Sequence, residues 1–126
     1  MITYVFDTSA LIAAERRKPR ALRFLALANA GAAELLVPFP VVAEWWRGRT
    51  DVRDELLAAT KIIANVEMAK AAGAALARMT DVSASLTIDA MVMATAALGD
   101  AVVVTQDPDD FDVLGAHFPG VTVISV

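Results

Sequence analysis

The sequence has no cysteine and a single histidine among its 126 residues. The missing thiol excludes a disulfide framework, a cysteine nucleophile and a zinc site built on thiolates. It also fits an intracellular, cytoplasmic chain. The one imidazole, His117, stands near the end in Gly-Ala-His-Phe-Pro-Gly. Any Ser-His-Asp mechanism would have to use it, yet a lone histidine before Pro-Gly reads as a loop or surface residue. Zinc sites needing several histidines, including a HExxH helix, are excluded with it. Aromatic residues make up only 6% of the chain, too few to argue a base-stacking platform. Long hydrophobic runs are missing as well. Charge or proline interrupts every apolar stretch short of the ~20 residues that cross a bilayer, so no membrane association is expected. The opening Ile2–Phe6 run meets Asp7 directly and has no basic segment before it, which excludes a secretory signal.

What is present is apolar: 57% of residues, with a mean hydropathy of +0.55. Such a chain buries enough surface to offset its ordering entropy, so intrinsic disorder is excluded. With no linker, repeat or low-complexity tract, residues 1–126 read as a single domain.

Ile2–Phe6 has the β-prone, unbroken apolar character of a strand buried on both faces. Asp7-Thr8-Ser9 supplies cap chemistry for a helix through Ala10–Ala14. A second helix is expected from about Arg20 to Ala30, stopping near Gly31, then a strand over Glu34–Pro38. Pro40 opens a helix over Val41–Arg47 that Gly48 closes. Thr50 and Asp51 can cap a helix from Val52 to about Ala59. Lys61–Val66 is expected to be extended and Glu67–Arg78 helical. Thr87 is expected to cap a helix from Ile88 to Leu98, with Gly99 ending it. Ala101–Thr105 is the clearest buried strand. Asp107–Asp110 turns into a short helix around Phe111–Leu114, and Val121–Val126 is a last strand. This alternation specifies an α/β fold with a mostly parallel sheet covered by helices on both faces.

In open parallel sheets, ligands sit beyond the carboxyl ends of the strands. Asp7 follows the first strand directly, and Asp107 lies just past the strongest one. Glu44 interrupts the apolar Val41–Trp46 stretch, and Asp89 interrupts a helix too apolar to be a surface element. A lone carboxylate in such surroundings is costly and calls for a partner or a cation. Each acid has an ordinary alternative. Asp7 could be an N-cap, and Asp89 could complement a helix dipole from the first turn. Glu44 could pair with Arg47, and Asp107 could form a turn beside Pro108. Their joint placement favours one site, because converging acids repel unless a divalent ion neutralises them. Oxygen-only donors point to Mg²⁺ or Mn²⁺.

Four segments, in order, resemble the motifs of PIN domains, and among these the VapC-type ribonuclease toxins of prokaryotic toxin–antitoxin pairs. They are Asp7-Thr8-Ser9-Ala10-Leu11-Ile12, Val41–Gly48, Thr87–Ala90 with Ala94-Thr95-Ala96, and Thr105–Phe111. The resemblance extends to about Leu114, with no matching motif between Gly48 and Thr87. It implies a PIN-like three-layer sandwich and a Mg²⁺- or Mn²⁺-dependent endoribonuclease. It further implies a homodimer and neutralisation by a cognate VapB-type antitoxin. By position, Asp7, Glu44, Asp89 and Asp107 match the family's acidic quartet. Asp7, Asp89 and Asp107 would hold the metal, while Glu44 would orient the attacking water or act as general base. Hydroxyls of Thr8, Ser9 and Thr105 would fix carboxylate rotamers. Asp109 and Asp110 compete with Asp107 for its role, Asp110 being expected to cap the helix at Phe111.

The net charge of −4 sits awkwardly with an RNA substrate. The cations, however, are grouped. Arg16, Arg17, Lys18, Arg20 and Arg23 follow the Asp7 motif, and Arg47, Arg49 and Arg53 follow Glu44, so both groups could flank the acids and hold phosphates. Trp45 and Trp46 point about 100° apart on a helix. Either both join the core or one meets a partner. The competing reading is a non-catalytic PIN-like module that binds RNA or protein. Response-regulator and aspartyl-phosphatase chemistry is disfavoured, since Asp7 lacks a neighbouring acid, Ser9 stands two residues on, and no lysine follows Val104.

Overall fold

The computed structural model describes residues 1–47 and 51–126. Gly48 as a helix stop, Thr50 as a cap and Arg49 as a phosphate ligand therefore lie outside the described residues. The order is β1 (Ile2–Phe6), α1 (Thr8–Glu15), α2 (Pro19–Asn29), β2 (Ala33–Pro38), α3 (Phe39–Trp45), α4 (Asp51–Ala58), β3 (Lys61–Ile63) and α5 (Val66–Leu76). It continues with α6 (Ala84–Gly99), β4 (Val102–Thr105), a 3-10 turn (Pro108–Phe111), α7 (Asp112–Gly115) and β5 (Val123–Ser125).

Five parallel strands form one sheet in the order β3-β2-β1-β4-β5. The chain steps outward from β1 through β2 to β3, then returns to the other side of β1 for β4 and β5. Right-handed crossovers running in opposite directions place their helices on opposite faces. The burial of β1 agrees: Val5 and Phe6 point to opposite faces, and both are fully buried. On one side α2 packs on β2, and α1 packs on β1 and β4; α6 packs on β1, β2 and β4. Residues Val92–Ala96 of α6 are buried without a break, as befits a helix enclosed on all sides. The expected α/β sandwich is therefore what forms.

Both ends of α6 differ from their expected form. Ser83, not Thr87, caps α6: its Oγ accepts from the Leu86 amide at 3.0 Å, and the Thr87 hydroxyl donates to the Ser83 carbonyl at 2.9 Å. Ser83 and Thr87 both offer cap chemistry, and the earlier one wins because it adds a full turn of helix. At the other end, the left-handed residue is Asp100 (φ 48°), and Gly99 lies inside the last turn. A Cβ at Gly99 would come within 3.4 Å of the Leu36 side chain, an ordinary van der Waals contact.

The α1–α2 corner is a Schellman motif. The Arg17 and Lys18 amides donate back to the carbonyls of Ala14 (3.0 Å) and Ala13 (2.9 Å). Its left-handed position, usually glycine, is Arg17 at φ 59°, a strain of roughly 1–2 kcal/mol. This corner fixes the backbone that carries the basic run.

Candidate active site

The sheet order reverses between β1 and β4, and at such a switch point the two outgoing loops diverge and leave a crevice. Asp7 leaves β1 on one side of it, and Thr105-Gln106-Asp107 leaves β4 on the other. Parallel pairing of Phe6 with Val104 sets Asp7 beside Thr105.

Asp7 is buried and firmly held. As N-cap of α1, its Oδ1 accepts from the Ala10 amide at 2.8 Å and from the Ser9 hydroxyl at 2.8 Å. The fully buried Thr105 hydroxyl donates to Oδ2 at 2.6 Å and in turn accepts the Asp107 amide at 3.0 Å. The capping role and the site role are thus played by the same carboxylate. Glu44, half-buried on α3, accepts a hydrogen bond from the Thr8 hydroxyl through Oε1. The three hydroxyls expected to restrain carboxylates all do so. The alternative Glu44–Arg47 ion pair does not form; Arg47 Nε donates instead to the Glu44 carbonyl at 3.2 Å.

Asp89 lies in the second turn of α6, not the first, so neither capping nor the helix dipole accounts for it. Burial pushes its carboxyl up to about 7, with further upward pressure from the charges of Asp7, Glu44 and Asp110. Burial also raises Asp7, opposed by its bonds from Thr105, Ala10 and Ser9 and reinforced by the charge of Asp107. Five acids from four separate chain segments therefore act on one another. Asp110 does not cap the helix as expected, since Phe111 holds the cap position of α7, and its charge acts on Asp89 instead. Asp107 and Asp110 are both exposed.

The unfolded chain releases the Asp89 proton near its usual 3.8, whereas the folded chain keeps it to about 7. Across that window the folded state binds more protons, so stability is full below about pH 4 and is lost as pH rises to about 7. In EDTA, the thermal midpoint should fall between pH 5 and pH 8, and Mg²⁺ at pH 8 should restore most of the loss. Calorimetry that finds the Asp89→Asn variant falling as steeply as wild type would contradict this assignment.

The two basic groups separate. Arg16, Arg17, Lys18, Arg20 and Arg23 are all exposed. Arg53 is buried instead: its Nε and Nη2 reach Glu15 Oε1 and Oε2, both at 3.2 Å, and its guanidinium lies 5.4 Å from the Trp45 ring centre. Trp45 is also buried and donates its indole N–H to Glu15 at 3.0 Å, and Trp46 packs partly buried against the core. No sequence signal distinguished Arg53 from its exposed neighbours. Sequence reading also missed Gln106, whose amide nitrogen donates to the Ser9 carbonyl at 2.6 Å and whose oxygen accepts from the Lys18 ammonium. His117 is half-buried, beyond the end of α7.

A family model described as "PIN domain" matches residues 4–116. Among solved structures, VapBC2 from Rickettsia felis, bound to a DNA fragment from its promoter, superposes with a TM-score of 0.72. The two chains are 16% identical, and the alignment covers 99% of each. DNA-bound VapBC from Salmonella typhimurium gives 0.69 at 18% identity, covering 99% of this chain and 98% of that one. VapBC-1 from nontypeable Haemophilus influenzae gives 0.67 at 14% identity, covering 98% of each. At these identities the likeness is one of fold. No curated protein matches the sequence significantly. Among the described residues, no helix is long and apolar enough to cross a membrane.

Proposed function

The chain belongs to the PIN domain family, and from that premise we propose that it is a Mg²⁺- or Mn²⁺-dependent endoribonuclease of the VapC toxin type. In this reading a VapB-type antitoxin neutralises it, it works as a homodimer in the cytoplasm, and Asp7, Glu44, Asp89 and Asp107 carry its chemistry. What supports the proposal is that Asp7 leaves β1 beside the β4 loop at the topological switch point, while the charges of Asp7, Glu44 and Asp110 all act on Asp89. The fold shared with chains of VapBC complexes supports the antitoxin partner.

The donor set fits a hard divalent cation. Every candidate is an oxygen, and like charges raise one another's proton affinity until something positive separates them. Among the described residues no three of these groups form a ready ligand cluster. Mg²⁺ does not require one, because it keeps several waters and takes one or two carboxylates. Asp7 Oδ1 already accepts two hydrogen bonds, whereas Oδ2 accepts one and keeps a lone pair free. Asp7 and Asp89 would hold the ion, with Asp107 or Asp110 completing the site. When bound, it supplies charge neutralisation at the phosphate and acidifies water. Glu44, with Oε1 engaged by Thr8, keeps Oε2 to take a proton from the attacking water. The Ser9 and Thr105 bonds keep Asp7 in one rotamer, so no reorganisation is needed at the moment of reaction.

The purified protein should cleave RNA when Mg²⁺ or Mn²⁺ is added and stop in EDTA, and sequencing the new ends would name the substrate. Calorimetry showing no cation binding, together with intact RNA, would instead support the non-catalytic module.

A further inference from the structure

One cation of the basic run is built into the acidic site. Gln106 makes three hydrogen bonds there. Its backbone amide donates to Ser9 Oγ at 2.7 Å, its side-chain nitrogen donates to the Ser9 carbonyl at 2.6 Å, and its side-chain oxygen accepts from Lys18 Nζ. Ser9 Oγ is also the donor to Asp7 Oδ1 at 2.8 Å. Lys18 is thus joined to the site's most buried acid through Gln106 and Ser9. Its backbone is held as well, by the Schellman amide bond to Ala13 at 2.9 Å and by its carbonyl accepting from Leu22 at 3.0 Å.

The partner chosen is informative. Among the described residues, the ion pair within 4 Å is Glu15 with Arg53, and Lys18 belongs to none. Asp107 follows Gln106 directly, yet Lys18 spends one donor on a neutral amide oxygen. An ammonium has three donors and no acceptor, so its remaining two N–H groups and its full charge stay available to solvent beside Gln106. A lysine serving only to fasten the corner would gain more from a carboxylate, because charge-assisted bonds to an anion are the stronger ones. Lys18 itself is exposed, so an incoming polyanion can reach it.

We propose that Lys18, aimed by Gln106, binds a backbone phosphate of the RNA beside the acidic site and so holds the strand to the protein. The proposal rests on the ribonuclease reading and adds a binding residue outside the four acids. It also answers the charge problem: a chain with net charge −4 can hold RNA if a fixed cation stands beside its acidic site. Lys18 is a point charge contributing to binding, so its loss should weaken association and leave the chemical step intact.

Two measurements test this on the full-length protein. In EDTA, where no cleavage is expected, anisotropy of a fluorescein-labelled single-stranded RNA oligonucleotide across KCl concentrations gives the salt slope of binding. Lys18→Met should reduce the magnitude of that slope by about 0.7, one phosphate contact on a single strand. With Mn²⁺ added, Lys18→Met should raise KM about five- to tenfold with kcat within about twofold, and Lys18→Arg should recover most of the loss. An unchanged slope and KM in Lys18→Met would overturn the proposal, and so would Lys18→Arg behaving like Lys18→Met. If wild type binds the oligonucleotide with the expected slope difference yet never cleaves RNA, the ribonuclease reading fails while Lys18 stands as a phosphate-binding residue. If wild type binds no RNA, both fail.

Discussion

Asp89→Asn should lower the rate of RNA cleavage by about a thousandfold or more, equivalent to about 4 kcal/mol of lost transition-state stabilisation. The substitution preserves shape but removes the charge that a cation would meet. Asp89 is also the acid on which the fields of Asp7, Glu44 and Asp110 converge. Relieving that repulsion has the opposite effect on folding, so the variant at pH 8 in EDTA should melt no lower than wild type. Lost activity together with retained or raised stability marks a residue kept for chemistry at a cost in stability. Steady-state cleavage and calorimetry on the same preparation read both. Full activity in Asp89→Asn would remove the mechanism. Asp107→Asn and Asp110→Asn, measured alongside, show which of the two acids completes the site, the larger loss identifying it.

Glu15→Ala should destabilise the fold by about 3–5 kcal/mol, a large share of what holds a small domain together. Glu15 takes both hydrogen bonds of the Arg53 fork and the Trp45 indole N–H, joining α1, α3 and α4. Removing it strands a buried guanidinium, whose Nη1 has no hydrogen-bond partner among the described residues. The cost is one of desolvated charge, so Glu15→Gln, which keeps an acceptor, should lose less. The double variant Glu15→Met, Arg53→Met should recover part of the stability, because the Arg53 guanidinium is then not left buried without its carboxylate. Urea denaturation of the four proteins gives the comparison. A loss under about 1 kcal/mol in Glu15→Ala would mean that the pair behaves like an exposed ion pair. Because Trp45 adjoins Glu44, the network also fixes the end of α3 that presents Glu44 to Thr8.

How far the sequence could be read depended on how local each signal was. β1, β2 and β4 were legible because unbroken β-branched and aliphatic runs between turn residues suit a strand covered on both sides. The extended segment expected over 61–66 forms only over Lys61–Ile63, and the Ala-rich helix expected over 67–78 forms over Val66–Leu76, so Val66 belongs to the helix. The start of α6 was not legible, because a cap is decided among competing hydroxyls by how much helix the rest of the protein can use. That shift moved Asp89 into the second turn and removed its most ordinary explanation. Arg53, grouped with the cations that could hold phosphate, is instead an internal ion-pair partner, since nothing in Gly48–Asp54 tells a buried guanidinium from a solvated one.

The sequence by itself determined the chemistry available: no thiol, one imidazole, and acids placed after strands and inside apolar helices, leaving oxygen ligands for a hard cation. It also determined the α/β alternation, because hydrophobic period and turn residues act over a few neighbours. Only the tertiary structure decided which charges meet. The reversal of strand order at β1 brings Asp7 and Thr105 together across 98 residues of chain, puts Asp110 within the field of Asp89, and sets Lys18 against Gln106. Electrostatic energy depends on separation in space and on burial, and neither is a function of distance along the chain.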